Sequence, residues 1–428
     1  MHILFDLLLS AAGAYLSAYV LYDILLVIVH FFPERARGAS HARGASHARG
    51  ASHARGASHA RGASHASPKK RIAVLVPAHN EELFLGRLLE SIRRLDYPAH
   101  LVKTYVIADN CGDGTARVAR DAGAIVFERT DPLNAGKGQA IGFALERMNL
   151  GEHEAVFIID ADSLAGGNLL LEIDKALADG CGALQCYNGV ANPDESWFTR
   201  LLDVSRTIGN EIIHPAKQRI GLSSHLMGNG MCFSSGLLMK YGWDAFTVGE
   251  DWEYYARLAG AGEKITFAGK ARVYHQESSS LAQATPQRLR WSGGRFEIAK
   301  RYGLRLLLSG IAQRNPVKAD AALPLVLPNP SLALNMTLAA LLISAAPLFL
   351  WRDRFFLTWF SLLLAGQILL FVTGVFYTDR RTKNLVSLLA APAFLIWKMG
   401  IDIFSLLGRA PKEWKRTGRK LRGSQRYG

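Results

Sequence analysis

Cysteine is scarce, with four residues in 428, Cys111, Cys181, Cys186 and Cys232, and none in C-x-x-C spacing. That argues against a disulfide framework and for a reducing compartment, with Cys181 and Cys186 expected to pack in the core. Acidic residues are in deficit too, 36 against 50 Lys plus Arg, for a net charge of +14. Most of the basic excess lies in residues 35–71 and 409–426, which flank apolar segments. Basic runs so placed orient a chain in a bilayer and touch anionic lipid. They form no single folded patch, so no nucleic-acid partner is expected. Apolar residues, 49% of the chain, are bunched at its two ends rather than spread evenly.

Residues 1–33 predict an N-terminal transmembrane helix. The run from Leu4 to Phe32 is apolar apart from Asp6 and Asp23, and crossing a hydrocarbon core takes about 20 helical residues. It lacks the basic start and cleavage site of a signal peptide. Arginines follow the helix and none precede it, which places the following domain in the cytosol. Residues 34–67 contain RGASHA repeated five times, from Arg37 to Ala66. With no large apolar residue to bury, they read as a disordered linker. The spaced histidines could hold a transition metal, but neutral repeat expansion is the simpler account.

Residues 68–295 alternate short apolar runs (IAVLVPA, TYVIAD, AIVFE, AVFII) with helical patterns. Repeated β-α-β units predict an α/β fold, a parallel sheet with helices on both faces. Ligands of such sheets sit beyond the carboxyl ends of the strands. His79 to Glu81, Asp109 to Asp113 and Asp160 to Asp162 follow those strands and are expected to converge there.

Beyond this domain, residues 296–330 predict an amphipathic interfacial helix and connector, because Lys300, Arg301 and Arg305 interleave with leucines. Residues 331–377 predict a transmembrane hairpin with a polar turn at Trp351–Arg354. Residues 378–408 are apolar but contain Pro392, Lys398 and Asp402. If they spanned, the basic tail 409–428 would lie outside, so an interfacial or re-entrant helix is favoured over a transmembrane one.

In IIDAD, Asp160 and Asp162 project to one side of an extended chain. Two like charges so placed call for a cation, and hard oxygen ligands suit Mg²⁺ or Mn²⁺ together with a diphosphate. A D-x-D alone is a weak signal. Its neighbours strengthen it: VPAHNEE, ADNCGDGT, NAGKGQAIGFAL, IIDAD, MGNGMCF, VGEDWE and QRLRW occur in this order. Over residues 71–295 the chain therefore resembles the membrane-bound family 2 glycosyltransferases, the group of cellulose, chitin and hyaluronan synthases.

The resemblance implies a GT-A, Rossmann-like nucleotide-sugar-binding domain carrying α-helical transmembrane segments. It implies that Pro77, Glu81, Asp109 and Asp113 frame the base and ribose of a donor, most simply a UDP-sugar, and that Lys137, Asp160 and Arg290 approach its diphosphate. Asn110 stands where the family often has an acidic residue, and an Asx turn and helix cap would equally account for Asp109 and Asp113. The resemblance also assigns Asp251 as general base with Glu250 its acidic neighbour, and Gln287, Trp291 and Gly230 to the acceptor end. Asp160 and Asp162 would hold the metal. His275 is either a further ligand or a polar wall of the cleft.

Together these imply inverting, metal-dependent transfer to a hydroxyl of a membrane-associated glycan or lipid-linked acceptor in cell-surface or exopolysaccharide biosynthesis. The expected setting is the cytosolic side of a bacterial inner membrane, in an integral, multi-pass protein able to pair with itself or with polysaccharide-export partners. Three or four helices make a narrow conduit, which favours stepwise transfer. QRLRW, frequent in processive members, favours a β-polysaccharide synthase. A catalytically silent nucleotide-sugar sensor is the non-enzymatic alternative.

Overall fold

A computed structural model describes residues 2–32, 68–346, 354–409 and 411. The repeat linker, the hairpin turn at 351–353 and most of the basic tail lie outside the described residues. Eight strands form one sheet: β1 (Ile72–Ala78), β2 (Val102–Asp109), β3 (Ile125–Arg129), β4 (Ala155–Ile158), β5 (Ser163–Ala165), β6 (Ala183–Val190), β7 (Met231–Ser234) and β8 (Ile265–His275). Their order is β3-β2-β1-β4-β7-β6-β8-β5.

The first four are parallel, and the central β1 and β4 are continuous apolar runs buried at every position, as strands covered on both faces require, while the edge strand β3 is only partly buried. The expectation of a wholly parallel sheet is corrected beyond β4. There β7 runs antiparallel to both β4 and β6, and β5 antiparallel to β8. Residues 228–230 form a loop leading into β7. β7 is only 4 residues long and follows a glycine-rich turn, so it carries little periodicity to read.

Helices α2 (Glu82–Arg93), α3 (Thr115–Asp121) and α5 (Leu169–Ala178) cover one face of the sheet. Ile72, Val74, Val76, Phe157 and Ile159 point into that layer. The alternate residues Ala73, Leu75, Val156 and Ile158 face α4 (Lys137–Leu145), α8 (Ser235–Tyr241) and α9 (Glu250–Gly260). Period-2 alternation in a doubly covered sheet thus divides one apolar run between two cores. Cys186 and Cys232 are buried, Cys181 is half-buried, and all four cysteines are free.

The apolar segments pack as helices α1 (His2–Phe31), α12 (Pro316–Val326), α13 (Pro330–Ala345) and α14 (Phe355–Phe376). By length and apolarity, Leu4–Phe31, Phe355–Phe376 and Arg381–Leu406 can each cross a membrane, and α12 and α13 together form a pair bent by 64°. Trp359 of α14 hydrogen-bonds Ser17 at 2.9 Å, and Tyr377 after α14 meets His30 at 2.7 Å, so α1 and α14 run side by side in the same direction. Arg219 of α7 (His214–Arg219) donates to the carbonyls of Val29, His30 and Phe32, closing the C-terminus of α1 onto the sheet domain.

α10 (Leu281–Ile298) continues through a π-helical turn into α11 (Leu304–Ala312), whose Leu304, Leu308 and Ile311 are exposed. After α15 (Arg381–Ser387), α16 (Ala391–Leu406) lies along α10. Trp397 donates to Thr285 at 2.9 Å, and Ser405 to the Leu289 carbonyl at 3.3 Å. Lys398 and Asp402, the charges that weigh against α16 as a lipid-facing helix, form an ion pair buried against Ser292 and Asn329. Polar residues in apolar helices take such inward positions because lipid offers them no partner.

Candidate active site

A cleft of about 770 Å³ opens at the carboxyl ends of β1 and β4. Pro77 lies at the end of β1, Glu81 follows it, and Lys137 opens α4. Asp160 and Asp162 follow β4, Glu250 and Asp251 open α9, His275 ends β8, and Gln287, Arg290 and Trp291 share a face of α10. All of these line it. Sequence motifs spread over more than 200 positions therefore meet in one place.

Lys137 Nζ lies 2.5 Å from Asp160 Oδ1, 2.5 Å from the Gly228 carbonyl and 3.5 Å from Glu250 Oε1. Burial would lower its pKa, but Asp160 and Glu250 more than reverse this and the pKa rises, so the ammonium stays charged. Burial raises the carboxyl of Glu250 against the pull of Lys137. Burial and the charge of Glu250 push Asp251 up to about 7, against the opposing Lys137. Asp251 Oδ1 also accepts the Trp252 N–H at 2.8 Å, in the first turn of α9, where backbone amides favour negative charge.

The register of the sheet brings His275 to the D-x-D. β5 pairs with β8 so that Ser163 faces His275, leaving Asp162 beside the imidazole. Asp160, Asp162 and His275 present ligand atoms within 4.8 Å of one another. Neither ring nitrogen of His275 has a hydrogen-bond partner among the described residues, and burial lowers its pKa, keeping the ring neutral. Two carboxylates and a neutral imidazole are a donor set that fits a divalent cation.

Asp109 and Asp113 do not line the cleft. Asp109 is fully buried, with Arg129 Nη1 2.6 Å from its Oδ1, and Oδ2 has no hydrogen-bond partner among the described residues. Asp113 accepts the N–H groups of Thr115 at 3.0 Å and Glu82 at 3.2 Å, fixing the starts of α3 and α2. Asn110, the departure from the family pattern, adopts φ 51°, a region asparagine tolerates, and its Oδ1 accepts the Asp131 N–H at 2.7 Å. Gly230 also lies away from the cleft. Its φ of 72° and the closeness of Val273, 2.8 Å from where a Cβ would sit, explain the glycine structurally.

Sequence reasoning missed three contributors. Asn229 Oδ1 accepts the Asp160 N–H at 3.0 Å, holding the D-x-D loop. Arg206 and Arg288 clamp Glu277 at 3.0 and 2.8 Å, and hold its carboxyl down at about 2 against the effect of burial. Arg288 also stacks over Trp291, 4.7 Å from the ring centre, fixing the indole at the cleft wall. The MGNGM and QRLRW motifs contain Asn229 and Arg288 without indicating these roles, and no spacing pointed to Arg206.

The family model described as "Glycosyltransferase like family 2" matches residues 68–294, more than half of the chain. The chain belongs to glycosyltransferase family 2. Curated relatives from this family include a probable glycosyltransferase, YdaM, of Bacillus subtilis, 24% identical over 54% of this chain and 57% of the relative. A β-monoglucosyldiacylglycerol synthase of Trichormus variabilis is 26% identical over 53% of this chain and 49% of its own length. The chain thus spans about half the length of the curated relatives it matches. Among solved structures, the mannosyltransferase PcManGT of Pyrobaculum calidifontis, in complex with GDP-Man and Mn²⁺, aligns over 92% of this chain and 99% of its own. Its TM-score of 0.55 at 19% identity marks the same GT-A fold in this family 2 chain.

Proposed function

We propose that the chain moves a sugar, with inversion, from a nucleoside-diphosphate sugar to a hydroxyl of a membrane-associated acceptor. The observation that carries this reading is the meeting of Asp251 with Lys137, Arg290 and the Asp160–Asp162–His275 cluster in one cleft. The Asp251 carboxylate takes the proton of the acceptor hydroxyl as its oxygen bonds to the anomeric carbon. The bond from that carbon to the diphosphate breaks, and its electron pair leaves on the nucleoside diphosphate. A positioned base contributes about 10²–10⁴-fold in rate. One displacement inverts the centre, giving a β-linked product from an α-linked donor.

Lys137 and Arg290 offset charge on the leaving diphosphate. Asp160, Asp162 and His275 would hold Mg²⁺ or Mn²⁺, which supplies Lewis-acid neutralisation of the departing phosphates. Trp291, fixed by Arg288, offers a flat apolar face to an acceptor. Pro77 and Glu81 border the donor end, and Gln287, whose Oε1 is buried with no hydrogen-bond partner among the described residues, offers an acceptor contact. Asp109, closed off by Arg129, would reach a base only after a local opening.

The membrane reading is that α1, the bent α12–α13 pair and α14 cross, while α16 lies at the interface. Contacts of α16 with α10 at both Thr285 and Leu289 support this, since α10 lines the cleft. Three crossings leave the basic tail on the catalytic side, in keeping with the positive-inside rule. The test is incubation of the protein in lipid nanodiscs with labelled UDP- and GDP-sugars and Mn²⁺ or Mg²⁺, followed by lipid extraction. Sugar in the lipid extract supports stepwise transfer. A long water-soluble polymer would replace it with processive synthesis, and no transfer or donor binding would overturn the enzyme reading.

A further inference from the structure

Beside the metal cluster the sheet is uneven. β7 pairs with β6 only over Ala183–Gln185, while β6 runs on to Val190 with β8 on one side and, among the described residues, no strand on the other. The main chain of Asn188 therefore needs partners of another kind along that edge. Asn210 supplies them: its Oδ1 accepts the Asn188 N–H at 3.3 Å, and its Nδ2 donates to the Asn188 carbonyl at 3.0 Å. One side-chain amide stands in for the missing strand.

Asn210 sits on a π-helical turn, Ile208–Ile213, between α6 (Trp197–Thr207) and α7. Such turns are rare and are often found at functional sites. This one faces two ways. Asn210 meets β6, while Ile208 and Ile213 pack with Leu370, Phe371 and Val375 at the end of α14. Gly374 lets α14 come this close, since a Cβ there would collide with Ile208.

The chain of amides continues inward. Asn188 Oδ1 accepts from Asn229 Nδ2 at 3.3 Å, the same Nδ2 donates to Ser163 Oγ at 3.0 Å, and Asn229 Oδ1 accepts the Asp160 N–H at 3.0 Å. Backbone partners fix which way the amides of Asn210 and Asn229 point. All three asparagines are buried. A buried polar network that is fully paired is rigid, and removing one member leaves the next unsatisfied.

From this we infer that Asn210 is a positioning residue for the metal cluster, acting through Asn188 and Asn229 on Asp160, and that the packing of α14 on Ile208 sets the same loop. The inference rests on the transferase reading and deepens it. It ties the cation site to a helix long and apolar enough to cross a membrane. The effect falls on cation binding rather than on the chemical step. Loss of a group that orients a metal ligand typically costs about 10–100-fold in affinity. Asn229 belongs in that range, and Asn210, one step further back, at its lower end.

The test measures Mn²⁺ affinity by electron paramagnetic resonance on the full chain in phosphatidylcholine nanodiscs, with no donor or acceptor present. Asn210→Ala should weaken binding about tenfold, and Gly374→Ala about fivefold. The double variant should bind no more weakly than Asn210→Ala alone, because both changes act through one turn. Gly366→Ala, also on α14 but facing Val20 of α1, should bind as wild type does. Two variants on different elements, each checked by thermal melting, keep the test valid if one misfolds. Wild-type affinity in folded Asn210→Ala or Gly374→Ala, or losses that multiply in the double variant, would overturn the inference. Loss of Mn²⁺ binding in Asp162→Ala reports separately on the cation site. If that variant binds as wild type does, the metal reading falls and this inference with it.

Discussion

Nδ1 of His275 lies 3.3 Å from Oδ1 of Asp162, although the two residues are more than 100 positions apart in the chain. The antiparallel pairing of the short β5 with the end of β8 creates that proximity. It makes an imidazole the third member of a group whose other two members follow β4.

Replacing His275 with alanine should weaken Mn²⁺ binding about tenfold or more, by loss of one ligand. Asp162→Ala should abolish metal-dependent donor binding. Calorimetric titration of Mn²⁺ with and without a nucleotide-sugar checks both. Unchanged Mn²⁺ affinity in both variants would remove the metal from this site.

Asp251→Asn should cut transfer by about 10²–10⁴-fold with donor affinity nearly intact, because the amide keeps the shape and loses only the proton acceptor. In the wild type, kcat/KM should fall about tenfold per pH unit below the Asp251 pKa of about 7 and level off above it, since the deprotonated form is the base. Stability runs the other way. The folded pKa is raised above the ordinary 3.8, so Asp251 costs stability progressively from about pH 4 to pH 7 and fully above. The asparagine variant should therefore melt higher than wild type at pH 8, with the gap shrinking toward pH 4.

Asp402→Ala should destabilise the protein by about 3–5 kcal/mol, because it strands the buried Lys398 ammonium against α10. The double variant Lys398→Met, Asp402→Leu should recover most of that loss. Thermal melting in detergent separates the two outcomes. An Asp402→Ala protein as stable as wild type would mean that Lys398 reaches water.

Gly294→Ala should lower kcat at least tenfold with a smaller effect on donor affinity. The added carbon would meet the Gly249 backbone and push the loop that carries Glu250 and Asp251. Single-turnover kinetics alongside donor titration distinguishes this from general unfolding.

The parallel half of the sheet was legible because β1, β2, β3 and β4 are continuous apolar runs punctuated by polar residues. The antiparallel half was not: β5 and β7 have 3 and 4 residues, too short for a period. The metal cluster was half legible, since D-x-D spacing is visible and a histidine supplied by strand pairing is not. Asp109 illustrates the limit most clearly. Its position after β2 suggests a ligand, and only the fold reveals Arg129, on the neighbouring β3, lying across it. Lys398 and Asp402 misdirect a reading of apolar length because their pairing depends on Ser292 and Asn329, far away in sequence.

The most direct test of the central claim is the anomeric configuration of the product, read from the one-bond carbon–hydrogen coupling at the transferred sugar. Wild-type protein in nanodiscs with an α-linked donor should yield a β-linked glycoside, as one displacement assisted by Asp251 requires. An α-linked product would contradict a single displacement and call for a covalent or front-face route.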